Sequence, residues 1–102
     1  MKNFKEAVVL APDEAVFWAN LGGAYGMTGE YEKSIDALKK GIDISPSLVN
    51  LKINIAVSYI NLKEYQNAIL ALEKIPEEER LKSNEILRLL EIAHNGLDVR
   101  DN

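Results

Sequence analysis

The sequence of 102 residues contains no cysteine. Disulfides are therefore excluded, and so are thiolate metal sites. Histidine is nearly absent too: with His94 alone, a zinc site would need an unusual carboxylate-rich ligand set. Prolines number 3 and glycines 6, too few for a fibrous or low-complexity chain. No apolar run reaches the roughly 18–20 residues that a membrane helix needs. The longest apolar stretch near the N-terminus, Ala7 to Pro12, follows Glu6 and is too short for the hydrophobic region of a secretory signal. Basic charge is also in deficit, with 12 Lys and Arg against 16 Asp and Glu and a net charge of −4. That balance disfavours a general nucleic-acid role, which needs a basic footprint to neutralise phosphates. The expectation is a cytoplasmic chain, or a soluble piece of a longer one, without a membrane or nucleic-acid partner.

What is present is an ordinary globular balance, 47% hydrophobic and 27% charged, enough for one domain. Six helical segments are readable. The first runs from about Lys2 to Leu10 and is stopped at Pro12-Asp13. The second runs to about Met27, with Asp13 as its cap, and Thr28-Gly29 breaks it. The third runs from Glu30 to about Ile44 and carries Tyr31, Ser34, Ile35, Leu38, Gly41 and Ile42 at i, i+3, i+4 spacing. Ser45-Pro46-Ser47 ends it, with Ser47 as the next cap. The fourth covers about Leu48–Leu62 and the fifth about Glu64–Ile75. After Pro76, Glu77-Glu78-Glu79 reads as a solvated turn or a first helical turn, where the helix dipole favours acids. The sixth runs from about Ser83 to Asn95, with Ile86, Leu89, Leu90, Ala93 and Leu97 on one stripe. Asn95-Gly96 is its expected stop, and Asp98–Asn102 a frayed polar tail.

These segments repeat. Pro12 and Pro46, Tyr25 and Tyr59, Tyr31 and Tyr65, and Leu38 and Leu72 are each 34 residues apart. Trp18, Leu21, Gly22 and Tyr25 form W-x-x-L-G-x-x-Y, followed by Ser34, Leu38 and Pro46. A fixed period of this size marks stacked helical units, none of which can bury its apolar stripe alone. The pattern resembles the tetratricopeptide repeat, with Ser34 in place of Ala and Leu38 in place of Phe. A second, more worn copy has Lys52 where the Trp stood, then Ile55, Ala56, Tyr59, Ala68 and Leu72.

The resemblance implies an all-α fold of antiparallel helix hairpins, stacked as a short right-handed α-solenoid of about six helices. One domain then spans residues 1–102. Residues 1–12 are the second helix of a partial repeat, 13–46 a full repeat and 47–80 a degenerate repeat. Residues 81–102 are a C-terminal capping helix and tail. The second, fourth and sixth helices are implied to line a concave side.

The second helix carries its packing stripe at Trp18, Leu21, Gly22 and Tyr25, and a different stripe at Val16, Ala19, Gly23 and Met27. In the fourth, Ile53, Val57 and Ile60 point away from the packing residues Ile55, Ala56, Tyr59 and Leu62, with Asn50, Asn54 and Asn61 near the edge. A helix apolar on two sides is either buried on both or offers one to a partner. Those ten residues are the expected partner-binding groove. Some members of the resembled family grip a chaperone's terminal carboxylate with Lys and Asn on the inner helix of the first clamp unit. Ala19 and Gly23 stand at those positions here, and only Asn54, in the next unit, matches the clamp pattern.

Catalytic chemistry finds no foothold. Gly22, Gly23, Gly26 and Gly29 lack the preceding strand and the Lys-Ser/Thr ending of a phosphate loop. No Ser/His/acid arrangement is favoured, and no catalytic, cofactor or metal residue is expected. The expected function is a non-catalytic scaffold that binds a protein or peptide partner in its groove. The alternative is self-association into a homo-oligomer through the first helix and the apolar inner face.

Overall fold

The computed structural model describes residues 4–101, with side chains through Val99. The expected helix start at Lys2 and the last residue of the tail, Asn102, lie outside the described residues. Seven helices and no strand are found among them: α1 Phe4–Leu10, α2 Ala15–Met27, α3 Tyr31–Ile44, α4 Val49–Asn61, α5 Tyr65–Glu73, α6 Glu77–Lys82 and α7 Asn84–Asp101.

The period is visible in the backbone bonds. Glu14 N–H donates to Ala11 O at 3.1 Å and Leu48 N–H to Ser45 O at 3.2 Å. Each closes a turn with proline at its second position, which proline's fixed φ favours. These turns run one residue further than the expected caps. Glu14 and Leu48, rather than Asp13 and Ser47, occupy the N-cap positions, and neither makes a side-chain cap bond. The ends of α2 and α4 also match. Glu30 N–H donates to Tyr25 O at 2.9 Å and Glu64 N–H to Tyr59 O at 2.8 Å. Both bonds wrap around a residue with positive φ, Gly29 at 82° and Lys63 at 63°. This is the Schellman ending of a helix, which normally recruits glycine.

Two sequence expectations are corrected at the C-terminal end. Glu77-Glu78-Glu79 forms a first helical turn, the second of its two readings, but the helix it opens, α6, is separate and short, a seventh beside the six expected. Arg80 Nη1 donates to Glu73 O at 2.7 Å and to Ile75 O at 2.9 Å, satisfying carbonyls at the end of α5. The last helix does not stop at Asn95-Gly96 but runs to Asp101. Gly96 serves close approach instead: a Cβ there would lie 2.6 Å from the Tyr65 ring. Ser83 Oγ accepts the Ile86 N–H at 3.2 Å and caps the start of α7.

Three buried clusters follow one another along the chain. Val8, Leu21 and Ala37 join α1, α2 and α3. Ala15, Ile35, Leu38, Leu51 and Ile55 join α2, α3 and α4. Ala56, Ala68, Ile69, Leu72, Ile75, Ile86 and Ala93 join α4, α5 and α7. Each helix thus covers its neighbour's apolar stripe, as an array with no single centre requires. Extents of 46 × 29 × 19 Å describe an open stack rather than a closed bundle. Backbone contact links α2 to α4 and α4 to α7, while α3 and α5 approach each other far less. The row α2, α4, α7 therefore lines the tighter, inner side of the stack, and the outer side is splayed.

Candidate interaction groove

On the inner side, α2 and α4 enclose a hollow of about 260 Å³. Its lining is Gly22, Gly23, Gly26, Met27, Tyr31, Ser34, Asn54, Val57, Ser58 and Asn61. None of these is charged. The glycines make the floor. Gly22 must be small because Leu38 Cγ lies 2.6 Å from where its Cβ would be, whereas Gly23 faces open space. Beneath Gly26, Ser58 Oγ donates to Ser34 Oγ at 2.9 Å, a buried bond between α4 and α3. The rim is apolar: Met27 is 90% exposed and Val57 38%. A flexible thioether held that far into solvent adapts readily to a partner's shape.

Of the ten expected groove residues, the hollow gathers five: Gly23, Met27, Asn54, Val57 and Asn61. Val16 and Asn50 are exposed but lie outside it. Ala19 packs on the cluster of Ala15, Leu38 and Leu51. Ile53 and Ile60 are half-buried against the cluster that includes Ala93 of α7, so α7 has already taken that part of the face. Asn61 Nδ2 donates to Val57 O at 2.9 Å, which leaves part of its amide for a partner. The sequence reading of the groove missed Gly22, which it had assigned to packing, and Gly26, Tyr31, Ser34 and Ser58. Ser34 carried a signal, since it stands where the repeat pattern has Ala.

At the edge of the hollow, the α2–α3 turn is held by Glu30, whose carboxylate accepts from Lys33 Nζ and Thr28 Oγ1, each at 3.1 Å. The Lys33 bond first, and the Thr28 bond after it, hold the Glu30 carboxyl below the ordinary carboxylate range. The same contact pushes the Lys33 ammonium above its ordinary value. His94 is exposed. Among the described residues no group of three or more His, Cys, Asp or Glu could hold a metal ion, and no helix is long and apolar enough to cross a membrane.

The sequence model of the tetratricopeptide repeat matches residues 15–48 and 49–75. The chain belongs to the tetratricopeptide repeat family. A peroxisomal targeting signal receptor of Candida albicans is 34% identical over 64% of this chain and 11% of that protein. Its counterpart in Kluyveromyces lactis is 28% identical over 96% of this chain and 19% of the receptor. An anaphase-promoting complex subunit of Schizosaccharomyces pombe, cut9, is 36% identical over 72% of this chain and 10% of that subunit. The chain thus spans between a tenth and a fifth of the length of these relatives. Among solved structures, the Sgt2 tetratricopeptide domain of Aspergillus fumigatus superposes with a TM-score of 0.86 at 21% identity, over 96% of this chain and 66% of that one. The TPR2B domain of yeast Sti1, solved in a pHsp70 complex, superposes with a TM-score of 0.83 at 24% identity, over 90% and 78% of the two chains. Both confirm the stacked-hairpin fold.

Proposed function

We infer that the chain is a non-catalytic protein-interaction scaffold, and that it takes an uncharged, extended or helical segment of a partner protein into the hollow between α2 and α4. The observation that carries this reading is the exposed apolar rim of Met27 and Val57 over a floor of glycines. A floor without Cβ atoms at Gly23 lets a partner backbone come close. Asn54 and Asn61 lie beside it as donors and acceptors for that backbone. The absence of charge from the lining favours an apolar or neutral segment over a terminal carboxylate. The relatives support the class: those in Candida albicans and Kluyveromyces lactis are named as receptors for a targeting signal.

The test is a quantitative pull-down in which Met27→Asp and Val57→Asp are compared with Leu81→Asp, an exposed site on α6 (64%) away from the hollow. The two groove variants should lower partner recovery by about tenfold or more, as a buried unpaired carboxylate demands. Equal recovery for all three variants refutes the groove.

Self-association is the second reading. It is favoured by the apolar surface of α1, where Phe4, Val9 and Leu10 are 46%, 78% and 62% exposed. Sedimentation equilibrium separates the two. A strictly monomeric chain at high concentration rules out self-association, and a dimer lost on Val9→Asp supports it.

A further inference from the structure

The splayed outer side holds a second cleft, of about 410 Å³, between α3 and α5 with α4 as its floor. Lys39, Lys52 and Lys74 line it, and Asp43 is the one acid among the lining residues. Lys52 is the unusual member. It is only 9% exposed, and no ion pair or hydrogen bond engages its ammonium among the described residues. What is buried is its aliphatic stem: no fully buried side-chain nitrogen lacks a partner among the described residues, so the ammonium opens into the cleft.

The preceding repeat shows what is missing. Residues 34 positions earlier form the equivalent gap between α1 and α3, where Trp18 stands in place of Lys52. There Lys40, the counterpart of Lys74, lies 5.1 Å over the Trp18 ring. Lys5, the counterpart of Lys39, lies 5.9 Å from the Tyr25 ring centroid. Trp18 also donates from Nε1 to Pro12 O at 2.8 Å, pinning the repeat. In the second repeat no indole stands there, and Lys52 and Lys74 line one open cleft instead. The cleft is a vacated tryptophan site re-equipped with positive charge.

We propose that this outer cleft binds a phosphate monoester. Three lysines against Asp43 leave two positive charges in excess, which match the charge of about −1.5 to −2 that such a group carries at neutral pH. A carboxylate monoanion would neutralise only one of these two charges. Tyr59 offers a hydroxyl to the remaining phosphate oxygens, and Asn67 the amide N–H left over from its bond to Glu64 Oε1 at 2.9 Å. The apolar floor of Ile55 and Ala71 takes the carbon atoms next to the ester. Further along the same gap stand Glu32, Asp36 and Glu64. That stretch of the gap shares Lys39, Tyr59 and Asn67 with the cleft, and its acids repel anions on that side, so the site places one compact anion toward Lys52 and Lys74 and turns away a nucleic-acid backbone.

The experiment titrates isotope-labelled protein with O-phosphoserine, with serine as the control, and follows backbone amides by NMR. Shifts should gather at Lys52, Ile55, Ala71 and Lys74 and leave Gly23 and Val57 unmoved. Lys52→Met keeps the buried stem without the charge and should weaken binding by about tenfold or more. Lys52→Trp, which restores the indole, should abolish binding and raise the melting temperature, so loss of affinity cannot be blamed on unfolding. A phosphoserine peptide then separates the two sources of the group. A gain of about tenfold over the free amino acid assigns the site to a phosphorylated protein, and equal affinity to a free monoester; either keeps the proposal. It is overturned if O-phosphoserine moves no cleft resonance, if serine moves them equally, or if Lys52→Met binds as the parent does.

Discussion

Gly22 and Gly23 are neighbours in α2, yet alanine at each should change stability in opposite directions. In a helix interior, alanine is favoured over glycine by about 1 kcal/mol, chiefly through backbone entropy. At Gly23 a new methyl meets nothing within 4 Å, so this gain is expressed. Gly23→Ala should stabilise the chain by about 0.5–1 kcal/mol. At Gly22 the methyl would sit 2.6 and 2.7 Å from Leu38 Cγ and Cδ2 and 3.2 Å from the Ser34 carbonyl oxygen. Leu38 is fully buried and the carbonyl belongs to α3, so neither yields without moving α3 against α2. Overpacking of this kind costs about 1–3 kcal/mol, which exceeds the propensity gain. Gly22→Ala should therefore destabilise by up to about 2 kcal/mol. Urea denaturation followed by circular dichroism measures both, and the melting temperatures should move apart by several degrees. The contrast between the two variants isolates the steric part, because propensity is common to them. If both stabilise, or both destabilise equally, the close approach of α2 and α3 at Gly22 is not what holds that hairpin together.

Other perturbations bear on the same structure. Lys63 carries the left-handed conformation that Gly29 carries one repeat earlier. Lys63→Gly should raise stability by about 0.5–1 kcal/mol by thermal melting, since the relief of an L-residue's strain outweighs glycine's extra unfolded entropy. Ser58→Ala and Ser34→Ala each leave a buried hydroxyl without its partner, and each should cost about 1–3 kcal/mol in urea denaturation. The double alanine variant should cost less than the sum, because no orphan hydroxyl remains. Glu30 is held below its ordinary pKa by Lys33 and Thr28, so its contribution to the α2–α3 turn is full above the unfolded carboxylate pKa and is lost as pH falls through the folded one. Lys33, raised by the same contact, contributes fully below its unfolded pKa and loses that contribution as pH rises through its folded value. An NMR titration of the Glu30 side chain should show its midpoint move upward in Lys33→Met.

Much of the architecture was readable because it depends on a few residues at fixed spacing. Proline at 12 and 46, tyrosine at 25 and 59, and small residues at 22 and 56 dictate turns, ring packing and close approach, and the structure uses each in the same way twice. The misreadings occur where the period breaks. Gly96 after Asn95 has the composition of a helix stop, but only the position of Tyr65 across the interface reveals that the glycine makes room for a ring. Glu77–Glu79 could be read as a solvated turn or a first helical turn, because Glu77–Lys82 is too short for any periodicity to register as a separate helix; Arg80, capping the carbonyls of α5, is what fixes it. Of the residues expected to line a groove, half gather at the candidate hollow. Met27 and Val57 followed from having a second apolar stripe on an inner helix. The loss of Ile53 and Ile60 to α7 did not, because it depends on how far the last helix leans over α4.

The two candidate sites lie on opposite sides of one helix, and this separation follows from the repeat itself. α4 sends Val57 to the inner hollow and Lys52 to the outer cleft, while Leu51, Ile55 and Ala56 lock the helix between α3 and α5. Backbone bonds at equivalent positions of the two repeats agree closely, so the substitution of Lys52 for the tryptophan did not require the scaffold to change. What it changed is charge and volume at one depth of one gap. An array built this way can alter its outer surface without touching its inner one, because Lys52 and Val57 themselves belong to none of the buried apolar clusters that hold the stack in register. Lys52→Trp should accordingly leave partner recovery by the Met27 and Val57 face unaltered, while Val57→Asp should leave the amides around Lys52 in place. Strong cross-effects between the two would mean that α4 moves as a lever between the faces rather than standing as a fixed wall.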